Sequence, residues 1–317
     1  MLAGILQGVV KTSGINPALI EDIAVGTVLT PGGGATVARA AALIAGIPNT
    51  AALNTVNRQC SSGLMAVVQI AHEIQSGMID IGIGAGMESM TKNYGPAALG
   101  EVSEAVHQHK EAADCLIPMG ITSENVAKKY NISRAQQDQF AAESYRKAEE
   151  AQKNGLFDKE IYPLTVKVTD PKTGEEKSVT VTKDDGIRPG TTVETLSKLK
   201  PAFSKDGSTH AGNASQVSDG AAAVILARRS VAEKYGLPIK GKFVAASVIG
   251  VPPSIMGVGP AYAIPKLLNK TGLTVDDVDI FEINEAFASQ CLYCADVCPL
   301  TPSRESLLID LDSKDPS

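Results

Sequence analysis

The chain has 317 residues, of which 44% are hydrophobic, and it contains 29 glycines, 17 prolines and no tryptophan. This length and composition are typical of a globular α/β protein with two or three packed domains, and they exclude a disordered or fibrous chain. The formal net charge of −6 argues against a nucleic-acid partner, because neutralising phosphates takes a clustered excess of Lys and Arg. No apolar run approaches the roughly 18 residues that a membrane span needs, so no membrane partner is expected.

The cysteines do not form the evenly spread, paired framework of a secreted disulfide-bonded protein. Three of them are bunched at Cys291, Cys294 and Cys298, and all the histidines lie far upstream. Metal binding by this bunch is therefore disfavoured and no metal site is predicted. Packing of a helix, or an aberrant tail, is the preferred interpretation, and a reducing compartment is expected.

The predicted elements begin with an amphipathic helix at the start of the chain. Its apolar face comprises Leu2, Ile5, Leu6, Val9 and Val10. No Ser, Asp or Pro precedes this helix to cap it, so the start is expected to be cut off. A glycine stop, an acidic turn and a strand follow, up to Gly26. Residues 264–283 repeat this order of elements, which predicts a duplicated α/β domain.

A β-turn-α-β core is predicted between the two copies. Residues 51–57 form a strand that enters a sharp turn, and a helix follows the turn. The predicted buried stripe of that helix comprises Leu64, Val67, Val68, Ala71 and Ile74. Gly77 ends the helix, and residues 79–86 form a strand whose glycines permit close packing of the backbone.

Residues from about 91 to 215 are more polar and predict a separate, more exposed subdomain. Within it, residues 134–152 form a polar helix, and a hairpin joins short strands at 165–168 and 179–181. A buried strand is expected again at 221–227, and residues 242–250 open the second half of the chain.

Cys60 is the first candidate for chemistry, because it stands at the predicted strand-to-helix turn. The partial positive charge at a helix N-terminus favours a thiolate, and the amides there can hold an oxyanion. Ser61, Ser62 and Gly63 are small and leave room for a substrate carbonyl. The alternative from the residues alone is a buried structural cysteine, which is the commoner environment of cysteine.

Several segments in register resemble the thiolases. They are residues 57–64, 86–90, 118–125, 212–222, 256–260 and 284–288. The likeness is to the peroxisomal 3-ketoacyl-CoA thiolases in particular, and it runs from residue 1 to about residue 294. It implies an α/β protein with the thiolase-like duplicated βαβαβαββ layered fold (α-β-α-β-α) and an inserted loop subdomain.

The resemblance also divides the chain into domains. Residues 1–90 and 218–240 form an N-terminal thiolase domain that carries the nucleophile and lacks its first strand. Residues 91–217 form the inserted loop subdomain, which binds CoA. Residues 241–294 form a partial C-terminal thiolase domain, and residues 295–317 form a tail unlike the family.

The same resemblance implies roles for individual residues. Cys60 takes the acyl group as a thioester, and Asn284 positions the water that polarises the thioester carbonyl. Arg188 meets a CoA phosphate, and Ser215 meets the pantetheine arm. The other implied substrate- and CoA-binding residues are Met119, Phe203, Ala211, Met256 and Phe287. The residues alone favour a helix cap at Asn284 and a surface position for Arg188.

The implied activity is that of a 3-ketoacyl-CoA thiolase (acetyl-CoA C-acyltransferase) of fatty-acid β-oxidation. It proceeds by ping-pong acyl transfer through Cys60 to CoA, with coenzyme A as co-substrate and no permanently bound cofactor. A homodimer and a peroxisomal location are implied by the family, with the cytoplasm and mitochondria as alternatives. Two other functions stay open: a biosynthetic acetoacetyl-CoA thiolase, and a catalytically dead form that only binds CoA or a partner subunit.

Two motifs of the family are not found in this sequence. They are a Gly-His-Pro motif, whose histidine activates the nucleophile, and a Cys-x-Gly motif, whose cysteine is an acid/base. The histidines present are His72, His107, His109 and His210, and none lies in a context that takes over either role. A truncated or mis-spliced gene model is the preferred interpretation, and a natural short form without activity is the other.

Overall fold

The structure is a computed structural model that describes residues 1–95, 98, 100–170 and 172–298. The chain falls into two compact units. Unit 1 comprises Met1–Glu101, Ile161–Thr182 and Val217–Val244. Unit 2 comprises Val102–Glu160, Lys183–Gln216 and, within the described part of the chain, residues 245–298.

The helices and strands are numbered here in chain order. The helices of unit 1 are α1 (Leu2–Ser13), α2 (Ala35–Ile44), α3 (Ser62–Ser76) and α9 (Arg229–Lys234). Its strands are β1 (Asp22–Gly26), β2 (Asn54–Val56), β3 (Ile81–Ser89), β4 (Leu164–Thr169), β5 (Glu176–Val181) and β6 (Asp219–Ala227). The helices of unit 2 are α4 (Glu104–Gln108), α5 (Lys110–Asp114), α6 (Met119–Lys129), α7 (Arg134–Lys153), α8 (Val193–Ser197), α10 (Gly259–Thr271) and α11 (Ala288–Val297).

Unit 1 is built on a four-stranded sheet of order β2-β1-β3-β6. The β1–β2 and β1–β3 pairs are parallel, and β6 runs antiparallel to β3. Every residue of β1 is buried, as expected of a strand inside a sheet that is covered on both faces. Ile23 and Val25 point into a core shared with α1 and α2, whereas Ala24 points into a second core with α3.

The predicted helices of this unit are present, and the buried face of α3 matches the prediction except at its first residue. The first helix is α1, with Leu2 and Leu6 buried, and α3 ends at Gly77, which has a φ of 80°. Leu64 was expected to be buried but is 66% exposed. Val68, Ala71 and Ile74 are buried as predicted and Val67 is half-buried, while Ala66 and Ile70 are buried as well. Gly82 and Gly84 of β3 lie against Ile70 and Val67, so the buried side of α3 is the one that faces this strand.

The strand predicted at residues 221–227 is β6, but it is not buried as expected. It lies at the edge of the sheet, and Val224 is 51% exposed. Ala223 and Ile225 pack against the core that holds α1, so successive side chains of β6 alternate between a covered face and a more open one.

The predicted hairpin is formed by β4 and β5, which pair antiparallel. It groups with unit 1, whereas the sequence assigned it to the subdomain of residues 91–217. Leu164 and Tyr162 lie against Gly4 and Gly8 of α1, where any added Cβ would overlap them. The contact with α1 therefore explains why the hairpin groups with unit 1. The domain boundaries implied by the family resemblance stay a prediction.

Unit 2 packs helices around a small apolar core. Val126, Ile132, Ile255 and Val258 are buried there. The predicted polar helix is α7, which begins with a capping box formed by the side chains and backbone of Ser133 and Gln136.

The second helix–strand copy is only partly present among the described residues. Its helix is α10, followed by a short 3₁₀ turn at Val275–Asp277. Residues 242–250 are in neither a helix nor a strand, and within 278–283 only Phe281 is in a β-bridge. The strand expected at 278–283 is thus not formed in the described region, because a strand needs a hydrogen-bonded neighbour and no ladder lies beside this segment there.

The bunched cysteines lie on the buried side of α11 and just after it. Cys294 donates to the Gly257 carbonyl at 3.6 Å, and Cys298 donates to the Ala261 carbonyl at 3.8 Å. These contacts match the helix-packing interpretation. The described part of the chain contains no group of three or more His, Cys, Asp or Glu placed to hold a metal ion. In that part, too, no helix has the length and apolar character to cross a bilayer.

Candidate active site

Cys60 lies in the turn between β2 and α3, and its side chain is exposed. The preceding residue, Gln59, has a φ of 50°, a left-handed conformation that strains a residue with a side chain. Ser62 holds the turn closed, since its Oγ accepts from the Arg58 amide at 2.8 Å and donates to the Gln59 carbonyl at 2.6 Å. The thiol therefore projects from a fixed turn at the start of a helix.

The amides of this turn are used differently from the expectation. Ser61 N donates to the Arg58 carbonyl at 3.2 Å, and Ser62 N donates to the Gln59 carbonyl at 3.0 Å. Both amides were expected to be available to an oxyanion, but these bonds keep them inside the turn. The amides of Cys60 and Gly63 are the candidate donors that these bonds leave.

Glycines on the sheet determine where α3 begins. A Cβ at Gly26, the last residue of β1, would overlap the backbone of Ser62 and Gly63. A Cβ at Gly84 of β3 would lie 2.7 Å from Cα of Val67. The helix consequently rests on the strand backbones, and its N-terminus lies at the carboxyl ends of the parallel strands β1 and β3.

Asn57 and Glu88 tie the nucleophile turn to the sheet. Asn57 Oδ1 accepts from the Gln59 amide at 2.9 Å, and its Nδ2 donates to the Val28 carbonyl at 3.0 Å. Glu88 in turn accepts from the amides of Val28 and Leu29 at 2.7 and 3.2 Å. Neither residue was assigned a role from the sequence, although both lie in segments that resemble the family.

The remaining predicted site residues lie in unit 2. Met119 is the first residue of α6 and is 43% exposed, and Phe203 is 40% exposed. The Phe203 ring lies over Gly120, where an added Cβ would overlap it. Phe203 thus lies at the start of α6, against the residue that follows Met119.

Ser215, Asn284 and Phe287 come together through backbone pairing. Ser215 N donates to the Ala286 carbonyl at 2.9 Å, and a β-bridge joins Ala214 to Phe287. The side chains of Ser215 and Asn284 are exposed, whereas Phe287 is buried. The segment before Ser215 and the segment before α11 therefore form one local surface.

Met256 borders the same region, Ala211 lies on the loop that leads to Ser215, and Arg188 lies on the loop before α8. Met256 is half-buried in the 3₁₀ helix Pro253–Val258. The next residue, Gly257, packs so tightly on Gln290 that an added Cβ would lie 2.7 Å from its Cγ. Gln290 Nε2 donates to the Asn284 carbonyl at 3.1 Å.

Arg188 and Ala211 are both exposed. The Arg188 guanidinium donates to the carbonyl of Asp185 at 2.5 Å, so its contact in the structure is within its own loop. Ala211 lies in the turn between His210 and Gly212. No contact brings Arg188 to Met119 or Phe203 in the described structure, and its role as a phosphate ligand stays a prediction.

A buried polar network that sequence reasoning missed supports the Ser215 segment. Asp138 of α7 accepts from Arg134 Nε at 2.7 Å and from His210 Nε2 at 2.7 Å. His210 and Asp138 are each 1% exposed. No local pattern marks them as buried, because polar residues on a polar helix and in a loop are ordinarily solvated.

Glu285 is a second acid of this region that was not predicted, and it is half-buried. Its Oε2 accepts from Ser144 Oγ at 2.6 Å, whereas its Oε1 is buried without a hydrogen-bond partner. Burial raises the pKa of Glu285 above its ordinary value, more than the Ser144 bond and nearby Lys147 lower it. The side chain anchors the backbone between Asn284 and Phe287 on α7.

Replacing Glu285 with Gln is expected to flatten the dependence of stability on pH. Because the pKa of Glu285 is raised from 4.5, the folded protein holds this proton more tightly than the unfolded chain does. The contribution of protonated Glu285 to the free energy of unfolding is present below pH 4.5. It is lost as the pH rises through the raised pKa. Urea unfolding at several pH values measures this, with the exposed Glu160→Gln as control. If the free energies of unfolding of wild type and Glu285→Gln differ by the same amount at every pH, this expectation is wrong.

Comparison with known proteins places both parts of the chain in one family. Residues 1–230 match the model for the thiolase N-terminal domain, and residues 237–307 match that for the thiolase C-terminal domain. The second match continues past residue 294, where the likeness noted in the sequence ends.

Two curated relatives are similar over nearly the whole chain. The peroxisomal 3-ketoacyl-CoA thiolase of Yarrowia lipolytica is 60% identical over 304 residues, which are 96% of this chain and 73% of that protein. The peroxisomal 3-ketoacyl-CoA thiolase of Homo sapiens is 56% identical over 305 residues, which are 96% of this chain and 71% of that protein.

Solved structures agree with these matches. The dimeric peroxisomal thiolase of Saccharomyces cerevisiae is 50% identical and superposes with a TM-score of 0.88 over 96% of this chain and 77% of that one. The acetyl-CoA acetyltransferase of Bacillus anthracis is 36% identical, with a TM-score of 0.83 over 96% of this chain and 78% of that one. Another Saccharomyces cerevisiae thiolase structure is described as five α-β-α-β-α layers built from two core domains of identical topology. The predicted fold class is confirmed, and the chain belongs to the thiolase family.

Proposed function

We propose that this chain is a 3-ketoacyl-CoA thiolase, an acetyl-CoA C-acyltransferase of fatty-acid β-oxidation that acts in the peroxisome. Acyl groups pass through a thioester on Cys60 to CoA. Coenzyme A is the co-substrate, and no permanently bound cofactor is required. The observation that carries the proposal is the exposed thiol of Cys60, held in a closed turn at the N-terminus of α3.

The chemistry explains why a thiol is needed at this place. The Cys60 sulfur attacks the C3 carbonyl of the substrate, and the C2–C3 bond breaks with its electron pair passing to acetyl-CoA as an enolate, which then takes up a proton. The sulfur of a fresh CoA, on giving up its proton, attacks the thioester and releases Cys60. A helix N-terminus stabilises the anionic sulfur in both steps, and an amide at Cys60 can hold the carbonyl oxygen as it becomes negative.

Unit 2 supplies the proposed substrate and CoA contacts. Ser215 meets the pantetheine arm, and Asn284 positions the water that polarises the thioester carbonyl. Their support is the backbone pairing that joins both residues to one surface. The Phe203 ring lies over Gly120, which follows Met119 in the chain, and the side chains of Met119 and Phe203 are both exposed. Arg188 as phosphate ligand and the domain boundaries given above are part of the same proposal.

The proposed assembly is a homodimer, because the Saccharomyces cerevisiae relative is described as a dimeric peroxisomal thiolase. The peroxisomal location has the same basis, since the relatives at 60% and 56% identity carry that word in their names. Sedimentation of the purified chain tests the dimer.

Turnover and covalent labelling test the function together. The purified chain is incubated with acetoacetyl-CoA and CoA, the loss of acetoacetyl-CoA is followed, and mass spectrometry locates the acyl group. Wild type and Cys115→Ala, the matched variant of a second exposed cysteine, are expected to lose substrate and to carry label on Cys60. Cys60→Ala is expected to do neither. Wild-type turnover equal to that of Cys60→Ala would overturn the proposal, and retained CoA binding would then favour the binding-only alternative.

Asn57→Ala is expected to slow acylation of Cys60 about tenfold. The substitution removes the bonds to the Gln59 amide and the Val28 carbonyl, each worth about 1 kcal/mol, and tenfold corresponds to about 1.4 kcal/mol. The strained Gln59 backbone then relaxes and the thiol is no longer held at the helix end. Single-turnover acylation with acetoacetyl-CoA measures the rate. Asn57→Asp keeps the acceptor for the Gln59 amide and is expected to retain part of the acylation rate. Equal acylation rates for Asn57→Ala and wild type would contradict the role of Asn57 in holding the turn.

A further inference from the structure

The ring of His210 is buried and both of its nitrogens are engaged. Nδ1 accepts from the Gly212 amide at 3.0 Å, and Nε2 lies 2.7 Å from Asp138 Oδ1. A backbone amide can only donate, so Nδ1 must be without a proton in this arrangement. The ring hydrogen is therefore on Nε2, where it is donated to the carboxylate. The geometry specifies one neutral tautomer of His210.

The segment that follows this ring leads directly to Ser215. The His210 amide donates to Asn213 Oδ1 at 2.8 Å, and Asn213 Nδ2 donates to Asp138 Oδ1 at 3.1 Å. Two residues after Asn213, Ser215 N donates to the Ala286 carbonyl. Residues 212–215 thus run from a buried anchor on α7 to the exposed edge beside Asn284.

We propose that His210 is a positioning residue that fixes the backbone of residues 212–215, and that protonating its ring weakens the binding of the pantetheine arm there. This rests on the proposed function, in which Ser215 meets that arm. A proton on Nδ1 would turn the acceptor into a donor that faces the Gly212 amide. The hydrogen bond would be lost and the segment released from its anchor.

Burial and the charges around the ring determine the pH at which His210 takes up this proton. Asp138 favours the charged ring and Arg134 disfavours it, both from α7. On α6, Glu124 bonds to the amides of Ser208 and Thr209 in the same loop. Burial is the largest effect and lowers the pKa of His210 below 6.5, so the ring is neutral near pH 7. The unfolded chain takes up this proton first, and the stabilising contribution of the neutral ring is lost as the pH falls below 6.5.

Ligand affinity as a function of pH tests the consequence for binding. The probe is dephospho-CoA, because the 3′-phosphate of CoA itself titrates at about pH 6. As the pH is lowered from about 7.5 through the lowered pKa of His210, as far as circular dichroism shows the protein folded, wild-type affinity by calorimetry is expected to fall about fivefold. This factor corresponds to the loss of one hydrogen bond. His210→Asn offers Oδ1 to the Gly212 amide and cannot be protonated there, so its affinity is expected to stay level. Equal pH profiles for the two proteins would overturn the proposal.

Hydrogen exchange tests the positioning without any ligand. After correction for the intrinsic pH dependence, the amides of residues 212–215 in wild type are expected to lose protection at the lower pH, while those of His210→Asn keep it. If wild-type protection does not change, His210 does not hold the segment and the proposal is wrong. A wild type that binds no dephospho-CoA at either pH instead overturns the proposed CoA site, and the exchange result still decides the role of His210.

Discussion

Gly26→Ala is expected to lower the free energy of unfolding by about 3 kcal/mol, at the upper end of the usual effect of overpacking a core. The added Cβ would overlap backbone atoms of Ser62 and Gly63, which cannot turn away as a side chain can. Either β1 or the start of α3 must shift, and the turn that carries Cys60 must move with it. Urea unfolding followed by circular dichroism measures the stability, and the rate of Cys60 alkylation by iodoacetamide reports on the turn.

Gly220→Ala is the matched control for this prediction. Gly220 lies on β6 of the same sheet, and a Cβ there meets nothing within 4 Å. Its free energy of unfolding is expected to stay within about 0.5 kcal/mol of wild type. If both variants unfold at the same urea concentration as wild type, then α3 does not rest on the backbone of β1 as closely as described.

Asp138→Ala is expected to cost about 3 kcal/mol of stability, because it removes the shared acceptor of a buried network. Without the carboxylate, the ring hydrogen of His210 and one hydrogen of the Asn213 amide are left buried without their acceptor. Arg134 also loses its carboxylate partner, but it keeps its bonds to the Leu196 and Leu199 carbonyls and its side chain is partly exposed. Thermal and urea unfolding measure the loss.

Two further variants separate this network from an ordinary surface charge. Asp138→Asn keeps one oxygen that accepts from His210, so it is expected to be intermediate in stability. Glu150→Ala removes an exposed partner of Arg146 on the same helix and is expected to change the unfolding midpoint little. An Asp138→Ala variant as stable as Glu150→Ala would show that the buried network contributes nothing.

The position of the nucleophile could be predicted because it depends on local order. A strand, a turn of small residues and an amphipathic helix are adjacent in the sequence, so the place of Cys60 in the turn before α3 follows from residues 54–76. Its exposure does not follow from them, because the residues alone left a buried structural cysteine open. The substrate and CoA residues could not be found in this way. Met119, Ser215 and Phe287 are separated by long stretches of chain, and their assignment came from resemblance to the thiolases.

Local periodicity also determined α1, α7 and the hairpin of β4 and β5, because each depends on residues that are close in the sequence. Burial was less predictable. Leu64 and Val224 are apolar and were expected to be inside, yet they are 66% and 51% exposed. Their exposure depends on which face of α3 meets β3 and on β6 being an edge strand, and neither is encoded within a few residues.

The sequence by itself therefore determined the family, the order of most elements and the nucleophile turn, since these are carried by local pattern and by motifs in register. The tertiary structure decided which polar residues are buried and what they hold. His210, Asp138 and Glu285 lie inside because distant segments close over them and satisfy most of their hydrogen bonds. That outcome is set by long-range contacts, because the composition around each residue predicts a solvated side chain.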